Sequence, residues 1–440
     1  MQDDFHRIAD ALTAALTGQE VLTVWFSAEA SDFVRFNHNQ VRQAGSVTQR
    51  SISVDLIEGQ RHASGQLRLS GDFESDRQRA GKLLADLREI RSQLPDDPHL
   101  LYATDVQSTE RREENRLPDA SAVVADVQKT GANRDLVGLY AGGAIHAGFA
   151  NSLGQRNWYT SYSYNLDWSF YHQADKAVKT AYAGFEWRPA DFDRKVAWAA
   201  EQLSAIAHPP QTVKPGRYRV YLAPAAVHDL IELLGWGGFG LKAHRTKQTS
   251  LLKLAEGQAG LAPAVTILEN TADGVAPNFQ EAGFLKPDRV TLIDHGRLGD
   301  CLTSPRSAKE YDVPTNGASA YEAPESVDMA AGDLAMQDVL KKLDTGVYVN
   351  NLHYLNYSDR AGCRATGMTR FATYLVEHGA IQGPLNVMRF DETLYRILGE
   401  NLISLTAERE MILDPDTYFQ RATASARLPG ALIEDFSFTL

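Results

Sequence analysis

Two stretches of this 440-residue chain alternate polar and apolar residues with a period of two, and helical sequence flanks both. That period is the β-strand period, so the chain must bury one face of at least two sheets. The first stretch is "SISVDLI", followed by the turn residues "EGQ". With "EVLTVWFS" ahead of it, it predicts an antiparallel meander with strands at 32–36, 41–45, 49–57 and 60–69. The second lies between residues 135 and 187 and spaces Trp158, Tyr162, Tyr164, Trp168 and Phe170 as aromatics of one packed face. A base-stacking platform would use aromatics too, but few basic residues interleave these.

Around the strands, helical periodicity predicts helices at 3–16, over Phe73–Gln93 and at 193–206. Helix, strands and helix make the fold class α+β: an N-terminal mixed α/β region with antiparallel sheets, then a large mixed, β-rich C-terminal domain. Between 94 and 119 the text is polar and turn-rich, and reads as a connector. "AHPPQTVKPG" is the clearest linker. The expected division is an N-terminal region at 1–208 with a sub-boundary near 95–120, a linker at 209–216, and a C-terminal domain at 217–440.

Charge narrows the partners. Acids outnumber bases 56 to 44, for a net −12, so no nucleic-acid partner is expected. The basic stretch "HRTKQTSLLK" reads as a solvated face. Cys301 and Cys363 cannot build a disulfide framework or a four-cysteine zinc site. The first twenty residues form an amphipathic helix with early acids rather than a signal peptide, and no apolar run is long enough to span a membrane. The expectation is a cytoplasmic protein with no membrane partner.

Motifs for chemistry are sparse. Metal ligation from one helix face needs donors three to five residues apart, and the expected histidine pair is missing: His228 and His244 lie sixteen apart. No G-x-S-x-G elbow is present, and Cys301, six residues after His295, reads as an inert thiol. "GWGGFG" matches G-x-G-x-x-G in form, but it closes a helix instead of opening one. That leaves "LIELLGWGG" at 230–238, an apolar helix that carries Glu232 and then breaks into Gly235 and Trp236.

Three longer segments bear on that helix: "DFVRFNHNQVRQAGSV", "VTLIDHGRLGDCLTSPRSAKEYDVPTNGASA", and "YVNNLHYLNYSDRAGCRATGMTRFATYLVEHGAIQGPLNVMRFDETLYRIL". They resemble the TldD/PmbA family (also described as modulators of DNA gyrase), with the pattern at 366–370 and 374–384 the most specific. The resemblance runs almost the whole length and implies a C-terminal domain of the TldD/PmbA type. Catalytic subunits of that family carry H-E-x-x-x-H on the helix after a strand like "RYRVYLAP". Here the same stretch reads I-E-L-L-G-W, from Ile231 through Glu232 and Gly235 to Trp236. Glu232 and Gly235 match, while both metal-binding histidines are replaced. The family's further cysteine ligand near the C-terminus has no counterpart after Cys363.

By that resemblance the chain is a TldE/PmbA-like subunit with a vestigial active-site helix, no catalytic residue and no metal of its own. It is expected to be inactive alone and to pair with a TldD-like catalytic subunit that holds the zinc. The pair would process peptides or unfolded proteins, and the chain could self-associate when alone. The peptide-contact candidates are Asn350, Asn351, His353, Tyr354, Tyr357, Asp359 and Arg370, polar and aromatic residues in and just beyond "NNLHYLNYSD"; a strand end with satisfied side chains reads the same stretch equally well. Two alternatives stay open: a hydrolase active through Cys301 or Cys363 with a histidine, and a regulatory protein-binding module.

Overall fold

The computed structural model describes residues 1–173 and 176–440. Its first half builds one sheet with helices on one side. Helix α1 (Gln2–Ala14) is followed by strands β1 (Val21–Asn37), β2 (Gln40–Glu58) and β3 (Arg61–Arg68). Helix α2 (Phe73–Gln93) is capped by Asp72, whose side chain accepts the Ser75 N–H. Then come β4 (Thr109–Arg112), α3 (Ala120–Thr130), β5 (Asp135–Asn151), β6 (Arg156–Gln173), β7 (Lys176–Gly184) and α4 (Pro189–Ile206). The sheet order is β3-β2-β1-β5-β6, with β7 and the short β4 both on the outer edge of β6.

The meander therefore forms as the alternation predicts, but with fewer and longer strands. Residues 32–36 belong to β1, and 41–45 with 49–57 belong to β2, because the two strands stay paired from Val21↔Ile57 to Asn37↔Gln40. The connector also holds more than its polarity predicts. It contains β4, which lies parallel on β6, and it runs on into α3, which buries Val123 and Val127. With two buried apolar residues in α3, local periodicity was too weak to reveal that helix.

The second half starts with β8 (Gly216–Leu222) and α5 (Pro224–Gly235). Its further strands are β9 (Ile267–Glu269), β10 (Val290–Asp294), β11 (Arg297–Leu298), β12 (Ser326–Met329), β13 (Gly346–Asp359), β14 (Arg364–Glu377), β15 (Ala380–Pro384), β16 (Arg389–Thr393), β17 (Leu402–Leu413) and β18 (Ser425–Phe438). They form one mixed sheet, β11-β10-β9-β12-β18-β16-β14-β13-β8, with β15 on β14 and β17 on β18. Strand β8 also pairs with β18, so β8, β13, β14, β16 and β18 close a ring and leave no free edge there. The fold is thus α+β, with an antiparallel first sheet but for β4 and a β-rich second half.

One hydrophobic core bridges the halves. Val34, Trp168 and Phe192 from the first pack in the same cluster as Tyr221, Tyr374 and Leu432 from the second. Among the described residues no helix is long and apolar enough to cross a membrane.

Candidate functional site

Helix α5 begins with Pro224 in its first turn, where a missing N–H costs nothing. Ala226, Val227, Leu230, Ile231, Leu233 and Leu234 all face the larger core and are at most 2% exposed. Ile231 is thus a packing residue. The helix stops at Trp236, whose indole is 53% exposed and whose carbonyl accepts from the Arg360 guanidinium. Two glycines are needed just after. Gly237 has φ +81°, and a Cβ on Gly238 would sit 2.3 Å from the Leu234 carbonyl oxygen. The glycine-rich run is a helix stop, as its position after the helix predicts.

The other face of α5 carries His228, Asp229 and Glu232. At positions i, i+1 and i+4 they converge, with ligand atoms all within 4.8 Å of one another. The sequence "HDLIE" holds that spacing, but one histidine with two carboxylates lacks the paired histidines that mark a zinc-binding helix. Asp229 Oδ2 accepts the Leu352 N–H at 3.1 Å. Burial pushes the Asp229 carboxyl up to about 7, and the charge of Glu232 adds to the shift. Burial also raises Glu232, helped by Asp414, and lowers the His228 imidazole. Burial thus favours the uncharged form of all three groups, and the same donor set could hold a cation.

Strand β13 runs past this cluster. Asn350 is 6% exposed; its Nδ2 donates to the Lys179 carbonyl at 2.9 Å and to Asn351 Oδ1 at 2.7 Å. Asn351 lies opposite Arg370, beside a one-residue bulge in β14. The rings of His353 and Tyr354 touch at a tilt of 53° with centroids 4.4 Å apart, and Tyr354 is 75% exposed with φ +54°. Asn350, Asn351, His353, Tyr354 and Arg370 therefore gather where β13 meets β7 and the bulge. Tyr357 and Asp359 lie further along the strand. The Tyr357 hydroxyl bridges the Leu233 carbonyl (2.8 Å) and Ser250 Oγ (2.9 Å), so it fastens the end of α5. Asp359 accepts the Gly362 N–H and shapes a turn.

A cavity of about 330 Å³ opens beside β7, between β5 and β6 on one side and Phe371, Pro415 and Thr417 on the other. The loop that brings Pro415 and Thr417 there is tied down by Arg421, which is 5% exposed. Its guanidinium donates to the carbonyls of Ser163 (2.9 Å) and Gly143 (2.8 Å) and to Ser31 Oγ (3.0 Å). No sequence signal pointed to this cavity, since its walls come from β5, β6 and β7 on one side and from Phe371, Pro415 and Thr417, far along the chain, on the other.

The surroundings of both cysteines disfavour the thiolate. Burial pushes Cys301 up to about 11 and Cys363 up to about 12, so both are protonated at neutral pH. His295, the sequence neighbour of Cys301, turns its Nδ1 to Asp294 at 2.7 Å instead.

Residues 215–440, more than half of the chain, match the PmbA/TldA metallopeptidase C-terminal domain. No curated protein matches the sequence. Solved structures with the same fold include a proposed modulator of a DNA gyrase from Thermotoga maritima, at a TM-score of 0.77 and 14% identity, covering 99% of this chain and 100% of that one. TldE from Thermococcus kodakarensis matches at a TM-score of 0.77 and 13% identity over 99% of this chain and 100% of its own. A proposed modulator of DNA gyrase from Bacteroides thetaiotaomicron matches at 0.72 and 16% identity, covering 99% of this chain and 98% of its own.

Proposed function

The chain belongs to the PmbA/TldA metallopeptidase family, and from that premise we propose that it is the TldE-like, non-catalytic subunit of a heteromeric zinc peptidase. One observation carries the proposal. At the two positions where the family resemblance places metal-binding histidines, Ile231 is sealed in the core at 2% exposure and Trp236 is an exposed helix cap. Neither side chain has a lone pair to offer a zinc ion, so the residues present do not fit the family's site. The zinc chemistry is assigned to a TldD-like partner, and no catalytic step is assigned to this chain.

Its own role in this reading is to complete the wall of a shared cavity and to hold extended peptide. Asn350, Asn351, His353, Tyr354 and Arg370 are the proposed peptide contacts, with Tyr357 and Asp359 in support. Strand addition asks only for a free sheet edge with pockets beside it, and β7 is an edge strand of the first sheet. We place the boundary between the two halves at 209–216 and the complex in the cytoplasm. The thiol-hydrolase alternative would need a thiolate, which the burial of Cys301 and Cys363 opposes.

The test is zinc per chain, by mass spectrometry of protein purified alone without chelator, alongside peptidase assays with and without a TldD-like chain. Zinc well below one per chain, with activity only in the mixture, is the expected result. Zinc near one per chain with activity alone would overturn the reading, and His228, Asp229 and Glu232 would then be the first ligands to replace.

A further inference from the structure

Strand β6 turns Ser161, Ser163, Asn165, Asp167 and Ser169 to the side opposite its aromatic core residues, and this polar row lies buried between the halves of the molecule. Its serines and Asn165 are at most 9% exposed. A buried polar row has to be hydrogen-bonded or it costs free energy. At Ser163 the partner is Arg421. Further along, the row opens onto the 330 Å³ cavity, and the compensation is incomplete. Asp167 pairs with Lys179 at 3.1 Å. Asn165 is 8% exposed, lines the cavity, and its Oδ1 has no partner.

The rest of the lining is largely apolar: Val137 and Leu139 on β5 stand beside the row, in register with Ser169 and Asp167, and Phe371 and Pro415 face them across the cavity. Phe371 stands at the β14 bulge with φ +56°, a strained conformation for a bulky residue. The cavity thus offers one uncommitted acceptor, an ion pair that neutralises itself, and an apolar wall. An ionic ligand finds no net charge to match. A neutral peptide stretch that offers a backbone N–H and an apolar side chain fits this lining.

We propose that this cavity is a peptide subsite: an apolar side chain of an extended chain lodges against Val137, Leu139, Phe371 and Pro415 while Asn165 Oδ1 accepts a backbone N–H of the same stretch. The subsite adjoins the α5 cluster, because Asn350 holds the Lys179 carbonyl and Pro415 follows Asp414. It rests on the peptide-handling function proposed above, and it adds a preference for apolar residues over charged ones.

The experiment uses the full chain alone and a fluorescein-labelled peptide, Gly-Ala-Leu-Phe-Ala-Gly, read by fluorescence polarisation against a control with Ser-Asn in place of Leu-Phe. The apolar peptide should bind at least about tenfold more tightly. Leu139→Trp, which fills the cavity, should weaken it by about tenfold, and Asn165→Leu by about fivefold with no loss in melting temperature. Should Leu139→Trp fail to fold, Asn165→Leu still decides the matter. Equal binding of both peptides, no binding, or unchanged affinity in Asn165→Leu would overturn the subsite. Assays with the catalytic partner separate the two ideas. Cleavage with a KM that Asn165→Leu does not move leaves the subunit reading standing and the subsite refuted. Asn165-dependent binding with no cleavage by any mixture does the reverse.

Discussion

Two polar patches flank the region between β7 and β13, and they bear the cost of burial in different ways. On β6 the compensation comes from partners: Arg421 serves Ser163 and Gly143, and Lys179 serves Asp167. On α5 the carboxylates of Asp229 and Glu232 have no ion-pair partner at salt-bridge distance among the described residues, and burial shifts their proton affinity instead. A buried charge is either matched or neutralised, and this molecule does one on each side. The β6 patch should therefore respond to loss of a partner, and the α5 patch to pH.

The largest expected effect is on the β6 side. Arg421→Met removes a buried guanidinium, leaves the Ser163 and Gly143 carbonyls and Ser31 Oγ without their donor, and should cost about 3 kcal/mol in urea unfolding. A loss below about 1 kcal/mol would erase the contrast between the patches.

Next comes the α5 side, where the sign is opposite to that of an ordinary salt-bridged acid. Asp229 holds its proton in the folded state up to about 7, whereas the unfolded chain releases it near 3.8. Unfolding then releases a proton between those values, so stability falls as pH rises from about 4 to about 7. Glu269, also raised to about 7 by burial, adds to the same slope. Asp229→Asn keeps an acceptor for the Leu352 N–H and should flatten part of that slope. At pH 8 it should be more stable than the native chain by about 1–2 kcal/mol, read from urea midpoints across pH. An unchanged slope would mean that Asp229 titrates as an ordinary surface acid.

Lys179→Met is milder. Its pair with Asp167 is partly exposed, so the stability cost should be about 0.5 kcal/mol. Lys179 also lowers Asp229, so the variant should move the pH midpoint upward, which NMR titration of the carboxyl would detect. The smallest effect concerns function. Glu232→Gln should leave the peptidase activity of the assembled pair within about twofold of native, since no general-base step is assigned to it. Collapse of activity with folding intact would give Glu232 a catalytic part and end the distinction drawn here.

Legibility in the sequence followed the range of the interactions involved. Helix α2 was readable to its ends, because the Asp72 cap and a closing proline are local signals. The aromatic face of β6 was readable from alternation alone. Strand β4 was not, since four residues become a strand only by lying on Asn157–Thr160, nearly fifty positions away. At the candidate site, the loss of both histidine positions and the glycine stop after α5 could be read directly. The meeting of His228, Asp229 and Glu232 follows from helical spacing, but their depth does not, and depth is what moves their protons.

By itself the sequence determined the periodicities, hence the helices and paired strands, and the side chains that stand on α5, hence the mismatch with a zinc-binding helix. Only the tertiary structure decided which polar groups are buried and which are left without a partner. Periodicity is a property of the chain within a few residues. Desolvation depends on what arrives from elsewhere, and Asn165 becomes a buried acceptor only because Phe371 and the loop at 414–421 close over β6.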